Sequence, residues 1–135
     1  MATTTSREDF PLTSSEHIVI VRQAVRRRAV ESGFSLVDQT KIVTAASELA
    51  RNTFVHGGGG AVLLEALEDG ARSGLRLTFT DKGPGIADVA RALADGYTTG
   101  SGLGLGLGGA KRLSNEFEIS SAPGQGTRVL IARWL

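Results

Sequence analysis

Glu48 and Asn52 are the residues whose types and spacing best suit chemistry. They lie in the stretch Ser47-Glu48-Leu49-Ala50-Arg51-Asn52-Thr53-Phe54-Val55-His56, where nothing breaks a helix before Gly57. Leu36 to Ala50 upstream gives that helix apolar substance. Residues four apart on a helix share one face, one turn above the other. His56 continues the same stripe. A carboxylate and an amide stacked in this way can act as a base and a metal ligand at neighbouring points of one pocket. Taken alone, the pair better suits a solvated helix face. Two glycine-rich segments later in the chain shift that balance.

The bulk composition bounds what the chemistry can be. A length of 135 residues suits one domain with a single sizeable core. Lys+Arg is 15 and Asp+Glu is 14, a formal net charge of +1, and the one basic cluster is Arg26-Arg27-Arg28. Phosphate neutralisation along a nucleic acid needs a larger patch, so no nucleic acid partner is expected. The three arginines suit a solvated face or an acidic protein partner. The absence of cysteine excludes disulfides and thiolate metal sites and fits a reducing, cytoplasmic setting. No apolar run approaches the ~18 residues of a membrane span, and the polar first nine residues hold no signal-peptide core. No membrane partner is expected.

The elements that would position Glu48 and Asn52 follow in order. Residues 1–8 are expected to be a flexible tail, and residues 9–135 a single domain. Asp9-Phe10-Pro11-Leu12 suits a short edge strand, where Pro11 is tolerated. Ser14 or Ser15 suits a helix cap, and Ile18, Val21 and Val25 mark the apolar face of a helix that Gly33 ends. The central helix spans about Leu36 to Val55. The run Gly57 to Gly60 stops it and turns the chain. Ala61 to Glu68 reads as a strand, with Asp69-Gly70 in a turn. Leu75, Leu77 and Phe79 alternate with Arg76, Thr78 and Thr80, the period of a half-buried strand.

Asp81 lies on the apolar register of that last strand. A charge leaving the core side of a sheet is expensive unless it is paired. Gly83 and Gly85 follow at once and permit backbone approaches that other residues resist. Ala87 to Ala94 suits a short helix. The run from Gly100 to Gly109 then alternates glycine with leucine, which a flexible linker would not need. It opens onto the helix-forming Ala110-Lys111-Arg112-Leu113, an arrangement in which amide groups and a helix dipole can hold phosphate. The spacing is neither a P-loop nor a dinucleotide fingerprint. Phe117 and Ile119 begin a strand, Ala122 to Gly126 forms a tight turn, and Thr127 to Leu135 returns as the last strand. The expected fold class is α+β, a two-layer α/β sandwich with helices on one face of a mainly antiparallel sheet.

Four elements thus stand in fixed order: Glu48-x-x-x-Asn52, Asp81-x-Gly83-x-Gly85, Gly102-x-Gly104-x-Gly106 and Gly124-x-Gly126-Thr127. Together they resemble the N, G1, G2 and G3 boxes of the GHKL ATPase and kinase superfamily, the Bergerat fold, over nearly the whole chain. Within it, Ser47 to Asn52, Asp95-Gly96-Tyr97-Thr98-Thr99 and Arg133-Trp134-Leu135 resemble the RsbT-type serine-protein kinases, the switch kinases of bacterial stressosomes. The anti-sigma-factor kinases are the next nearest branch.

That resemblance implies ATP and Mg²⁺ as cofactors. It implies that Asn52 holds the metal and that Glu48 acts as general base toward an acceptor hydroxyl, or orients it. Asp81 would accept a hydrogen bond from the adenine amino group, with Gly83 and Gly85 closing the backbone around the base. Gly124, Gly126 and Thr127 would complete that end, and Gly100, Gly102, Gly104 and Gly106 would form a lid over the phosphates. His56 matches a position near the nucleotide, and it equally suits a structural helix end.

The implied activity is an ATP-dependent protein serine/threonine kinase. Its substrate would be a STAS-domain antagonist in a stressosome-like complex, and its release would activate a serine phosphatase. The alternatives are an anti-sigma-factor kinase bound to a sigma factor, and a nucleotide-binding docking module with residual activity. The presence of both Glu48 and Asn52 argues against the docking module.

Overall fold

Alternating apolar residues build the sheet on which the site rests. The computed structural model describes residues 2–86, 88–93 and 106–135. Five strands, β1 (Thr3–Leu12), β2 (Gly60–Asp69), β3 (Arg72–Asp81), β4 (Glu116–Ser121) and β5 (Thr127–Trp134), form one sheet. Its order is β1-β2-β3-β5-β4, and every neighbouring pair is antiparallel. Val62, Leu64, Leu75, Leu77, Phe79, Val129 and Ile131 leave one face of it and are buried. Against them pack α1 (Ser15–Glu31) and α2 (Leu36–Val55). The expected α+β sandwich is the observed one.

Helix α2 carries the site and lies against the core. Ser35 caps its start, accepting from the Asp38 amide at 3.1 Å. Ile42, Ala45, Ala46, Leu49 and Ala50 are buried, and the three alanines let the helix axis approach its neighbours closely. Gly58 and Gly59 end it with φ of +75° and +107°, angles that side-chain-bearing residues rarely adopt. The single turn α3 (Val89–Ala92) is shorter than the expected Ala87 to Ala94 helix. Asp88 caps it, accepting from the Arg91 amide at 3.0 Å. Helix α4 (Gly106–Arg112) takes in the last glycines of the run, four residues before the expected start at Ala110, and packs on α2 through small residues, with Gly108, Gly109 and Ala110 buried.

One expectation is corrected. The flexible tail expected over residues 1–8 gives way to structure from Thr3 onward, because Thr3 to Leu12 is a ten-residue edge strand paired with β2 from Thr3–Glu68 to Leu12–Gly60. Only Phe10 and Leu12 of this strand join the core, so its first residues carry no apolar alternation to read. Its ladder is supplemented by side chains. The Thr4 hydroxyl donates to Glu65 at 3.2 Å, and Glu8 pairs with Arg28 at 2.7 Å and with Arg27 at 3.4 Å. Two of the three clustered arginines therefore tie α1 to the sheet edge.

On the open sheet face Glu65 is buried and takes a two-pronged hydrogen bond from Arg76, at 3.0 and 3.1 Å. Those bonds hold its carboxyl below the usual glutamate range and outweigh the opposing effect of burial. At the far end of α2, Arg133 donates to Asp38 at 2.7 Å and lowers that carboxyl in the same way.

Candidate nucleotide site

Strand β3 delivers Asp81 to the sheet end where α2 also finishes. Asp81 pairs in register with Gly60 on one side and with Thr127 on the other. Its Oδ1 accepts from the Gly83 amide at 2.9 Å, closing a turn that leaves Oδ2 outside that bond. Gly83 then passes directly over the end of α2. A Cβ on it would lie 2.5 Å from the Gly57 carbonyl oxygen, so the two backbones meet with no room for a side chain.

The next turn of chain is stitched to the β4–β5 hairpin. The Gly124 amide donates to the Pro84 carbonyl at 2.7 Å. The Ile86 amide donates to the Ser121 hydroxyl oxygen at 2.8 Å, and Ser121 in turn donates to the Gly126 carbonyl at 3.0 Å. Ser121 and Thr127 hydroxyls lie 2.8 Å apart and share a hydrogen bond. Gly126 is buried, and a Cβ there would meet the Asp81 carbonyl and stand 3.0 Å from the Lys82 Cα. A backbone cradle therefore surrounds Asp81 on the side away from α2.

Glu48 and Asn52 project from the C-terminal half of α2, both half-buried. Glu48 Oε2 accepts from the Gly106 amide at 3.4 Å, where α4 begins. The Asn52 carbonyl receives the amides of both His56 and Gly57 at 3.0 Å, which anchors the last turn of the helix. Asn52 also offers a side-chain oxygen, a hard donor of the kind magnesium prefers. Among the described residues there is no group of three His, Cys, Asp or Glu side chains that could cage a metal. A cation at Asn52 would take one protein oxygen and complete its shell from elsewhere, which suits an ion that keeps waters and phosphate oxygens.

Of the expected site residues, Glu48, Asn52, Asp81, Gly83, Gly85, Gly106, Gly124, Gly126 and Thr127 gather at this end of the molecule. Gly100, Gly102 and Gly104 lie outside the described residues, as does the segment 95–99. His56 caps the end of α2 and is exposed. Sequence reasoning missed Ser121, whose hydroxyl joins the Asp81 turn to the hairpin. A serine before a proline-glycine turn carries no signal of its own.

Residues 37–134 match the model of the family described as histidine kinase-, DNA gyrase B-, and HSP90-like ATPase. The chain belongs to this ATPase family. It is 45% identical over 118 residues to the serine/threonine-protein kinase RsbT of Bacillus subtilis, covering 87% of this chain and 89% of that protein. It is 32% identical over 105 residues to an anti-sigma F factor of Halalkalibacterium halodurans, covering 73% and 70% of the two chains. An anti-sigma F factor of a Thermoanaerobacter species is 26% identical over 130 residues, 92% and 90% of the two.

Among solved structures, the RsbU and RsbW domains of a Mycobacterium tuberculosis protein share the fold, with a TM-score of 0.66 and 24% identity. That match covers 96% of this chain and 32% of the longer one. The family makes ATP the expected nucleotide, and within the family this chain stands with the serine/threonine-protein kinases. Among the described residues no helix is long and apolar enough to cross a membrane.

Proposed function

We propose that this chain is a cytoplasmic, Mg²⁺-dependent protein kinase that transfers phosphate from ATP to a serine or threonine of a STAS-domain partner in a stressosome-like complex. Asp81 accepts from the adenine amino group, Asn52 holds the metal and Glu48 takes the proton of the acceptor hydroxyl. Magnesium, when bound, neutralises charge on the transferring phosphate, and the protein's part is positioning. Transfer changes which partner the kinase holds, and release lets it bind and activate a serine phosphatase.

The observation that carries this reading is the meeting of the α2 end with the Asp81 turn. It brings a hard oxygen ligand and a carboxylate acceptor to one sheet end, with Glu48 one turn along the helix. The 45% identity to RsbT adds to it. The anti-sigma F factors at 26–32% identity favour a second reading, a kinase that holds a sigma factor.

Purified protein, ATP and Mg²⁺ mixed with a STAS-domain protein from the same cell separate the two. We expect phosphate on a serine or threonine of that protein and little free ATP hydrolysis. Tight sigma-factor binding without STAS phosphorylation would select the second reading. Rapid ATP turnover with no partner present would overturn both.

A further inference from the structure

Gly57 has a feature that stopping a helix does not explain. The positive φ angles that end α2 fall on Gly58 and Gly59, and Gly57 has a backbone any residue could adopt. Its lack of a side chain serves a different purpose. A Cβ at this position would collide with the Asp81 carboxyl carbon, stand 2.5 Å from Oδ2 and lie 2.7 Å from the Asp81 Cβ. All three contacts oblige the carboxylate to shift, and a shift strains or breaks the 2.9 Å bond that tethers its Oδ1 to the Gly83 amide. Gly57 itself is held from behind, its amide donating to the Asn52 carbonyl at 3.0 Å. The Asp81 carboxylate thus lies in a slot with the Gly83 amide on one oxygen and the bare Gly57 Cα beside the other.

We propose that Gly57 is a positioning residue for base recognition: it fixes the Asp81 carboxylate in the orientation that receives a purine 6-amino group. This rests on the adenine role proposed above for Asp81. A carboxylate accepts from the 6-amino group of adenine and faces only an oxygen acceptor at the same place on guanine. Its orientation therefore sets the preference for ATP over GTP. A methyl group on residue 57 turns the carboxylate away and removes that preference, while leaving the phosphate contacts, which GTP shares, in place.

The test is competition of ATP and of GTP against a fluorescent ATP analogue, at nucleotide concentrations high enough to register weak GTP binding. For Gly57→Ala we expect ATP affinity to fall about tenfold or more, the loss of one hydrogen bond to a charged group. GTP affinity should change less than twofold, so the ATP-to-GTP ratio collapses. Gly70→Ala, in the β2–β3 turn with open space around it and φ of +62°, reports the general cost of such a change. It should lower the melting temperature without moving the ratio.

Equal losses for ATP and GTP in Gly57→Ala, or an unchanged ratio, overturn the proposal. Asp81→Asn measured in parallel separates the two levels. If that variant also keeps its preference for ATP, the adenine role of Asp81 has failed and not the slot alone. Should Gly57→Ala not fold, Gly57→Ala combined with Asp81→Gly decides, since it removes the colliding carboxylate. Recovery of folding in the double variant supports the contact, and continued unfolding overturns it.

Discussion

The two sides of the candidate site are built differently. Around Asp81, five hydrogen bonds between 2.7 and 3.0 Å tie the strand end, its turn and the β4–β5 hairpin together. Three of them join the Asp81 turn or its neighbours through backbone amides. On the α2 side, Glu48 has one 3.4 Å contact with the first residue of α4 among the described residues. Fixed backbone donors lose little freedom on binding, so the Asp81 side is suited to recognising one rigid group. Side chains on a helix, with few bonds holding them, suit groups that arrive with metal and acceptor and complete the geometry then. The contrast predicts that binding and transfer can be broken separately.

The largest expected effect is on transfer. Glu48→Ala should bind ATP nearly normally, while the single-turnover rate of phosphate appearing on the partner falls by ~10²–10⁴-fold, the usual loss for a general base. Asn52→Ala should lose both Mg²⁺-dependent binding and transfer, because it removes the hard oxygen. Normal transfer by Glu48→Ala would make Glu48 a solvated helix residue. The Asp81 side should respond in the opposite way. Asp81→Asn should weaken ATP binding by roughly 10–100-fold in calorimetric titration, since a hydrogen bond to a charged group contributes about 1.5–3 kcal/mol. Its transfer rate at saturating ATP should change far less.

A smaller effect tests whether the stitched turn matters. Ser121→Ala leaves the half-buried Ile86 amide without its acceptor and frees the Thr127 hydroxyl. A threefold to tenfold loss of ATP affinity is expected, about 0.7–1.4 kcal/mol. Unchanged affinity would show that the hairpin only borders the Asp81 turn and does not hold it.

Much of this site could be read before the structure. The bounds of α2 follow from its apolar period and the glycine run, and they are the observed Leu36–Val55. Asp81 stands out in the sequence because a charge on the core register of β3 is costly without a partner. What could not be read is what depends on partners distant in sequence. Strand β1 is polar for most of its length because it is an edge, and it is fixed by pairing with residues distant in sequence, from Thr3 with Glu68 to Leu12 with Gly60. Ser121 and Gly57 act through contacts with the Asp81 turn that no local pattern announces. Arg27 and Arg28 carry no local sign of an internal partner, because that partner, Glu8, lies on this same edge strand.

The smallest effect on function should come from the open sheet face, and it sharpens the comparison by lying outside both sides. Glu65 alternates with Leu64 and Ala66, so it points away from α2 and from the site. Its carboxyl is lowered chiefly by hydrogen bonds from Arg76, with burial opposing them. A carboxyl lowered in the folded state contributes stability that is present above the ordinary glutamate range. That contribution is lost as pH falls through the range toward the lowered folded value. Glu65→Gln removes the titrating group, so its melting temperature should fall less steeply below about pH 4.5 than that of the parent. At neutral pH the variant should be less stable by about 1–2 kcal/mol, because Arg76 loses a charged acceptor. Nucleotide affinity and transfer should stay within twofold of the parent. An acid limb as steep as the parent's would mean that the pair contributes nothing to stability, and a changed ATP affinity would mean that the open face is coupled to the site.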